Sequence, residues 1–309
     1  MPWDVSPSGA QGTAATSLAI DRQIHINGIT SSHLTRGTSM NRTQKAWTST
    51  AALAITLAVN TLGAVGAINN LSQKQISDMY PTLITPSPTT FSIWGVIYAL
   101  LIASLVVMIV RRNDPYYQKA VDQITGLFWI SCLLNAAWIA TFSFVLVELS
   151  VVFIAGLAVA LALLCQKLLA IREDKRWLLP LSFGLYTGWL FIATVVNVAA
   201  ALVKLKWDGF GLTDSAWAVI ILTVAIVLVI AAQLRNRNAA FPLPVAWAYF
   251  GIYHVLRTQQ GADGNAGLLQ ATSLAGMVVL LGAAAVQLFR NHLALLPAAP
   301  GSLRGSSRN

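Results

Sequence analysis

The sequence predicts an all-α protein, a polytopic bundle of membrane-spanning helices. Of its 309 residues, 56% are hydrophobic and only 10% are charged, whereas soluble domains are about one-quarter charged. Apolar runs close to the roughly 20 residues needed to cross a bilayer recur along the chain. The formal net charge is +9, but the basic residues cluster between the apolar runs. That placement is typical of loops that orient a membrane protein, and it argues against nucleic-acid binding.

Eight stretches are apolar enough, or nearly so, to be membrane spans. They are residues 47–68, 91–110, 124–146, 149–166, 177–203, 215–234, 241–256 and 267–289. The seventh, "FPLPVAWAYFGIYHVL", is the shortest and contains two prolines near its start, where they suit a first helical turn. No Asp, Glu, Lys or Arg lies in the middle of any stretch. Ion-coupled transporters generally place an ionisable group there, so this absence argues against ion coupling.

The distribution of Lys and Arg predicts the orientation of the bundle. With eight spans, alternate connections and the two tails hold 16 of the 20 basic residues, and the other connections hold 4. Cytoplasmic loops carry the excess of positive charge, so both termini are expected in the cytoplasm. The predicted location is the inner membrane of a bacterial cell.

Both ends of the chain are polar. Residues 1–45 form the predicted N-terminal tail, and residues 291–309 form a C-terminal tail rich in Ser, Gly, Ala and Pro that we expect to be disordered. The first 39 residues lack the apolar segment of a secretory signal. They are interpreted as a disordered tail, a weak organellar transit segment or the product of an over-called start. Met40 opens "MNRTQKAW" just before the first span.

Three asparagines within the predicted spans need partners. An amide buried in hydrocarbon without a hydrogen bond costs several kcal/mol, so Asn60, Asn135 and Asn197 are expected to point into the bundle. Such contacts average only about 0.6 kcal/mol each in membranes, and one interpretation is that they fix how the helices dock.

Aromatic residues share helical faces with two of these asparagines. Each of the second, third and fifth spans carries a stripe at intervals of three or four residues. The stripes are Trp94 and Tyr98; Asn135, Trp138 and Phe142; and Tyr186, Trp189, Ala193 and Asn197. One stripe is usually packing, but three at similar depth favour a cavity for a flat hydrophobic ligand.

Other residues in the spans have simpler interpretations. Cys132 and Cys165 have neither metal nor disulfide spacing and are expected to pack as small apolar side chains. His254, at the end of the seventh span, is interpreted as an interfacial residue rather than a proton relay. Gly184 and Gly188 form a GxxxG pair that would let a neighbouring backbone approach the fifth span closely.

Three motifs resemble the TspO/MBR family of translocator and tryptophan-rich sensory proteins. "LNAAWIATF" (134–142) is similar to that family's third-helix pattern LNxxWxxxF, and "YTGWLFIATVVN" (186–197) to its fifth-helix pattern YxxWxxxATxxN. "TPSPTTFSIWGVIY" (85–98) resembles the Pro-rich entry to its second helix. The resemblance covers residues 46–203, the family's five-helix core, and leaves three additional spans within 204–290.

The sequence also departs from the family pattern. Threonines occupy positions 89 and 90 where the family has a tryptophan, and Phe91 lies one residue closer to Trp94. Ser131 and Leu185 replace a glutamine and a proline. These changes bear on the identity of the ligand more than on the fold.

The resemblance implies a pocket for flat apolar molecules such as porphyrins or sterols. Residues that match the family's pocket are Trp94, Asn135, Trp138, Trp189 and Ala193. No required cofactor is implied, although a porphyrin would be a ligand. The expected partners are the lipid bilayer, a hydrophobic small molecule and, in some settings, a second copy of the chain.

Four functions are compatible with these residues. The first is a ligand-binding protein with a sensory, regulatory or translocator role. The second is a transporter without ion coupling, and the third is a structural bundle in which Trp and Asn only pack. An enzyme is the least favoured, because the sequence has no HExxH, GxSxG, Cys/His pair or intramembrane carboxylate dyad.

Overall fold

The computed structural model describes residues 40–173, 176–258 and 266–299. The chain divides into two units, Met1–Asn41 and Arg42–Asn309. The predicted tail at residues 1–39 lies outside the described residues, and everything below concerns the second unit. The described part of that unit holds nine α-helices and two short 3-10 helices, η1 and η2. Their bounds are α1 Arg42–Ala64, α2 Gln73–Met79, η1 Pro88–Ser92, α3 Ile93–Val110, α4 Pro115–Ser143, α5 Val147–Ala170, α6 Leu178–Lys204, η2 Gly209–Gly211, α7 Asp214–Asn236, α8 Leu243–Thr258 and α9 Ala266–Arg290.

Six of these helices are long and apolar enough to cross a membrane, and the protein is a multi-pass integral membrane protein. The six are α3 together with η1, and α4, α5, α6, α7 and α9. The other two predicted spans coincide with α1 and α8, which do not meet the same criteria of length and apolarity. Helix α8 has only 16 residues, and α1 carries Ser, Thr and Asn through its length. At 1.5 Å per residue, α8 extends about 24 Å, less than the roughly 30 Å of a hydrocarbon core.

Helix α2 is the one α-helix in the described ranges that the apolar runs did not indicate. It begins with a capping box, in which the Ser72 side chain accepts from the Gln75 N–H and the Gln75 side chain accepts from the Ser72 N–H. This arrangement satisfies two backbone donors at the start of a short helix. Ile76 on α2 is fully buried. The Ser-x-x-Gln spacing was therefore a usable signal for this helix.

The helices pack both against their neighbours along the chain and against more distant ones. Helix α4 contacts α1 and α5, α5 contacts α6, and α9 contacts both α7 and α8. Helix α8 also packs against α6, and this contact joins α7, α8 and α9 to the helices that precede them in the chain. The largest buried side chains of this core include Trp189, Tyr116, Tyr249 and Phe183.

The GxxxG pair of α6 lies where α8 and the segment before it approach. A Cβ atom added to Gly188 would overlap with the carbonyl oxygen of Phe241 and lie 2.7 Å from Cγ of Pro244. A Cβ atom added to Gly184 would lie 2.7 Å from Nδ2 of Asn238. The close backbone approach expected from the motif is present, and its partner is the beginning of α8.

Residues 291–299, the first part of the predicted C-terminal tail, are packed against the protein. Leu295 accepts a backbone hydrogen bond from Ala239 at 2.9 Å, and the carbonyl of Ala298 accepts from Nε of Arg172 at 3.2 Å. Asn291 is buried and donates to the carbonyls of Arg237 and Leu295. The remainder of the predicted tail, 300–309, lies outside the described residues.

Candidate functional site

Five aromatic rings from α3, α4 and α6 meet inside the bundle. We call Trp94, Tyr98, Trp138, Tyr186 and Trp189 the aromatic cluster. Trp94 is its centre: the Tyr98 ring stacks on it at 5.1 Å, the Trp138 ring stacks at 6.3 Å, and Tyr186 and Trp189 present edges at 6.1 Å each. The three indoles therefore converge at one depth. They also contact one another through Trp94, so a guest would have to take the place of a ring now in the cluster.

The rings differ in how far they are buried. Trp138 and Trp189 are 8% and 2% exposed, whereas Trp94 and Tyr98 are only partly buried. Phe91 lies farther out, 41% exposed, with its ring edge-on to Trp189 at 5.7 Å. Phe91 and Trp94 thus form the outer side of the cluster, and Trp189 forms its inner side.

The indole N–H of Trp189 has no hydrogen-bond partner among the described residues. A buried donor left in this state costs about 1 to 3 kcal/mol. The indole of Trp138 is different, because its Nε1 donates to Oδ1 of Asn197 at 2.9 Å. The Trp138 N–H therefore has a hydrogen-bond acceptor within the protein, whereas the Trp189 N–H is, within the described ranges, an unpaired donor inside the cluster.

A hydrogen-bonded chain of four side chains links four helices beside the aromatic rings. The Tyr98 hydroxyl donates to Oδ1 of Asn60 at 2.9 Å, Nδ2 of Asn60 donates to Oδ1 of Asn135 at 2.6 Å, and Nδ2 of Asn135 donates to the Tyr186 hydroxyl at 3.0 Å. Asn135 is fully buried. Because each amide finds a partner on another helix, the chain fixes the relative position of α1, α3, α4 and α6.

A second polar group lies on the Trp138 side of the cluster. Asn197 accepts from Trp138, and its Nδ2 donates to Oγ of Ser150 at 3.0 Å. Ser150 in turn donates to the carbonyl of Val147 at 2.6 Å. Asn197 therefore positions α4, α5 and α6, and the Trp138 ring with them. All three asparagines expected to point inward are buried and hydrogen-bonded.

The structure brings most of the predicted site residues together. Trp94, Tyr98, Asn135, Trp138, Tyr186, Trp189 and Asn197 are joined by ring contacts or hydrogen bonds. Phe142 lies 6.5 Å from Trp138 but packs with a separate small core around α2 and Val147. Ala193 is partly buried, one turn beyond Trp189 on α6.

Two residues that contribute to the site, Ser150 and Phe91, are not among the residues predicted from the sequence. Ser150 holds Asn197 in place, and serine in an apolar run carries no signal that separates this role from ordinary helix packing. Phe91 contacts Trp189 from η1. Its spacing from Trp94 departs from the family pattern, and that departure alone does not predict a contact with Trp189.

Helix α8 borders the site through the segment that carries Phe91. The Trp247 indole donates to the carbonyl of Thr90 at 2.9 Å, and the Ser87 N–H donates to the carbonyl of Gly251 at 3.3 Å. A Cβ atom on Gly251 would overlap with the Thr90 hydroxyl. The chain between α2 and α3 is therefore fixed to a helix that comes about 150 residues later.

The remaining side chains with separate interpretations are not members of the aromatic cluster. Cys132 and Cys165 are buried free thiols, and the Cys165 sulfur lies 3.2 Å from the Thr187 hydroxyl. His254 is exposed, with its ring stacked at 6.4 Å on that of Phe250.

Comparison with known proteins places the chain in a family. A family model described as "TSPO-like protein" matches residues 46–286, which include all three motifs, the aromatic cluster and most of α9. No curated protein matches the chain, and no solved structure matches it. The family match spans more than two-thirds of the sequence and extends well past the five-helix region to which the motifs belong. The chain therefore belongs to the TSPO-like protein family.

Proposed function

We propose that this protein binds a flat, largely apolar molecule, a porphyrin or a sterol-like compound, within the aromatic cluster. The observation that carries the proposal is the Trp189 indole, which is 2% exposed and has a donor with no partner in the described part of the chain. A ligand with an acceptor at its edge would remove that cost, while its faces would stack on neighbouring rings. Each aromatic contact adds about 0.5 to 1.5 kcal/mol beyond the buried area.

Binding requires one ring to move, and the outer side of the cluster offers the means. Trp94 is a partly buried ring of the cluster, and it lies with the exposed Phe91 at the junction of η1 and α3. Rotation of the Trp94 side chain would open the space between Trp138 and Trp189 without breaking the hydrogen bond from Trp138 to Asn197. The nine site residues predicted from the sequence are accordingly proposed in two roles. Trp94, Trp138, Tyr186, Trp189 and Ala193 would contact the ligand, whereas Tyr98, Asn135, Phe142 and Asn197 would hold the ring-bearing helices.

A matched pair of Trp to Phe variants tests the proposal. Purified protein is titrated with protoporphyrin while the porphyrin absorbance is followed. Trp189→Phe keeps one aromatic ring but removes the N–H and the second ring of the indole. Loss of the hydrogen bond alone, about 0.5 to 1.5 kcal/mol, should weaken binding about two- to tenfold, and the lost ring surface should add to that effect. Trp177→Phe, at an exposed position just before α6, should bind like wild type.

The competing structural role has a specific observation in its favour, because the aromatic rings already contact one another. If the cluster only packs, substitutions at Trp94 and Trp189 should lower the melting temperature and leave porphyrin titrations unchanged or unsaturable. A transport role would appear as uptake of the bound compound by vesicles without dependence on a proton gradient. Product formation that depends on Trp138 or Trp189 would contradict the assignment of binding without catalysis.

We further propose that eight helices, α1 and α3 to α9, cross the membrane, with α1 and α3 to α6 as a ligand-binding core and α7 to α9 as an addition. The basic loops share one end of the bundle: Arg176 pairs with Asp114 at 2.8 Å, and Asn238 donates to the carbonyl of Pro180 at 2.8 Å. This clustering supports a cytoplasmic location for that end in a bacterial inner membrane.

Thiol labelling of intact cells tests this topology. Both native cysteines are buried, so a single introduced cysteine would report its own side. Phe210→Cys, exposed between α6 and α7, should react with an impermeant maleimide. Lys119→Cys, exposed near the start of α4, should react only after lysis. The reverse pattern would contradict the orientation.

A further inference from the structure

A cleft of about 100 Å³ lies at the end of the bundle where α3 is followed by α4, and it shares no residue with the aromatic cluster. It forms where the first turns of α1 and α4 meet the last turns of α3. Its walls combine two arginines, Arg42 and Arg112, with Trp47, Met108 and Ile109. None of these residues belongs to the proposed ligand site.

The cleft carries excess positive charge. Nε of Arg42 pairs with Asp122 at 2.7 Å, and Nζ of Lys45 pairs with the same carboxylate at 3.1 Å. One carboxylate therefore neutralises only one of two cations. Arg112 takes part in none of the ion pairs formed by the described residues. Three cations and one anion leave a local charge of +2, with the Arg112 guanidinium available to an incoming anion.

The cleft lies at the level where the hydrocarbon core of a membrane would meet the lipid headgroups. The apolar span that contains α3 ends at Val110, two residues before Arg112. Trp47 is 59% exposed, and an indole in this setting is typical of the level of the lipid headgroups. Val106 and Val110 on α3 are also exposed. An apolar surface that suits an acyl chain and a cationic cleft that suits a phosphate therefore lie at the same end of α3.

We propose that this cleft binds an anionic membrane phospholipid, with the headgroup phosphate on Arg112 and Arg42 and an acyl chain along α3. Arginine presents a planar fork of donors that matches the oxygens of a phosphate group. Basic pockets between membrane helices bind acidic headgroups in this way. The proposal is independent of the aromatic cluster and of any ligand bound there.

Lipid titration of the full-length protein tests the site. Native mass spectrometry gives the apparent Kd of the first bound lipid for phosphatidylglycerol and for phosphatidylcholine, whose headgroup has no net charge. Wild type should bind phosphatidylglycerol more tightly. Arg112→Gln should weaken that binding about fivefold, because it removes a cation worth about 1 kcal/mol from direct contact with the bound phosphate. Arg235→Gln removes the same charge from an exposed position at the same end of the bundle, and it should change nothing.

A second variant tests whether lipid binding depends on the shape of the cleft as well as on its charge. Thr43→Trp would place a large side chain at the exposed rim of the cleft without altering the net charge, and it should also reduce phosphatidylglycerol binding. Equal binding of the two lipids by wild type would overturn the proposal, as would equal losses in Arg112→Gln and Arg235→Gln. Displacement of the lipid by millimolar inorganic phosphate would assign the cleft to a soluble anion instead, and would overturn it too.

Discussion

Replacing Gly188 by alanine tests whether α8 lies directly against the backbone of α6. The added methyl group would overlap with the Phe241 carbonyl oxygen and lie 2.7 Å from Cγ of Pro244. Carbon atoms in contact are ordinarily about 3.5 to 4.0 Å apart, so the two helices would have to separate by about 1 Å. The obstacle includes backbone, which cannot rotate away as a side chain can.

The expected cost is at the upper end of the range for overpacking, about 3 kcal/mol. For a chain of this size, each kcal/mol lowers the melting temperature by about 2 to 4 °C, so we expect a decrease of about 6 to 12 °C. The measurement is thermal unfolding of the detergent-purified protein, followed by circular dichroism.

Gly126→Ala is the matched control. Gly126 lies on α4 with open space around its Cα, and replacing glycine in a helix interior gains up to about 1 kcal/mol in helix propensity. The two substitutions should therefore shift the melting temperature in opposite directions. Equal behaviour of both variants would refute the packing of α8 on the GxxxG face of α6.

Two further predictions concern polar contacts. Asn135→Leu would remove the hydrogen bonds that Asn135 makes with the Asn60 amide and the Tyr186 hydroxyl. We therefore expect the free energy of unfolding, measured by denaturant titration, to fall by about 1 to 3 kcal/mol. A change below about 0.5 kcal/mol would show that this chain of hydrogen bonds contributes little to stability. Desolvation raises the pKa of the Asp114 carboxyl, but hydrogen bonds from the Tyr116 N–H and Arg176 outweigh it and hold that pKa below its ordinary value. The pair therefore stabilises the fold above about pH 4 and loses this contribution as the pH falls through the lowered pKa. Arg176→Met should reduce the melting temperature at pH 7 and have little effect near pH 2, and an equal decrease at both pH values would contradict this assignment.

The long helices were predictable because each is an uninterrupted apolar run bounded by charge. All eight predicted spans coincide with α-helices whose ends differ by at most nine residues from the predicted limits. The largest difference is at α4, where the prediction began at residue 124. The helix starts at Pro115, capped by Asp114, because polar residues on its first two turns face a loop region rather than lipid.

The convergence of the aromatic residues was also predictable, since spacing places side chains on a face and three faces of neighbouring helices tend to meet. The spacing could not predict how closely the aromatic rings pack against one another. Whether Trp94 leaves space or fills it depends on its side-chain rotamer and on the approach of η1. The rotamer is packed against Trp138 and Trp189, and η1 is held by contacts with α8 that come from far along the chain. The hydrogen-bond partner of Asn197 could not be predicted either, because Ser150 is one of several serines in apolar surroundings.

The attachment of residues 87–90 to α8 means that the first five long helices do not form an autonomous unit. Cutting the gene after Leu205 would remove the Gly251 partner of the Ser87 N–H and the Trp247 indole that donates to the Thr90 carbonyl, both at the start of the span that begins at Pro88. It would also uncover the glycine face of α6. A minimal version of this protein must therefore retain its C-terminal third, and attempts to graft the indole site onto a shorter scaffold must supply a substitute for α8.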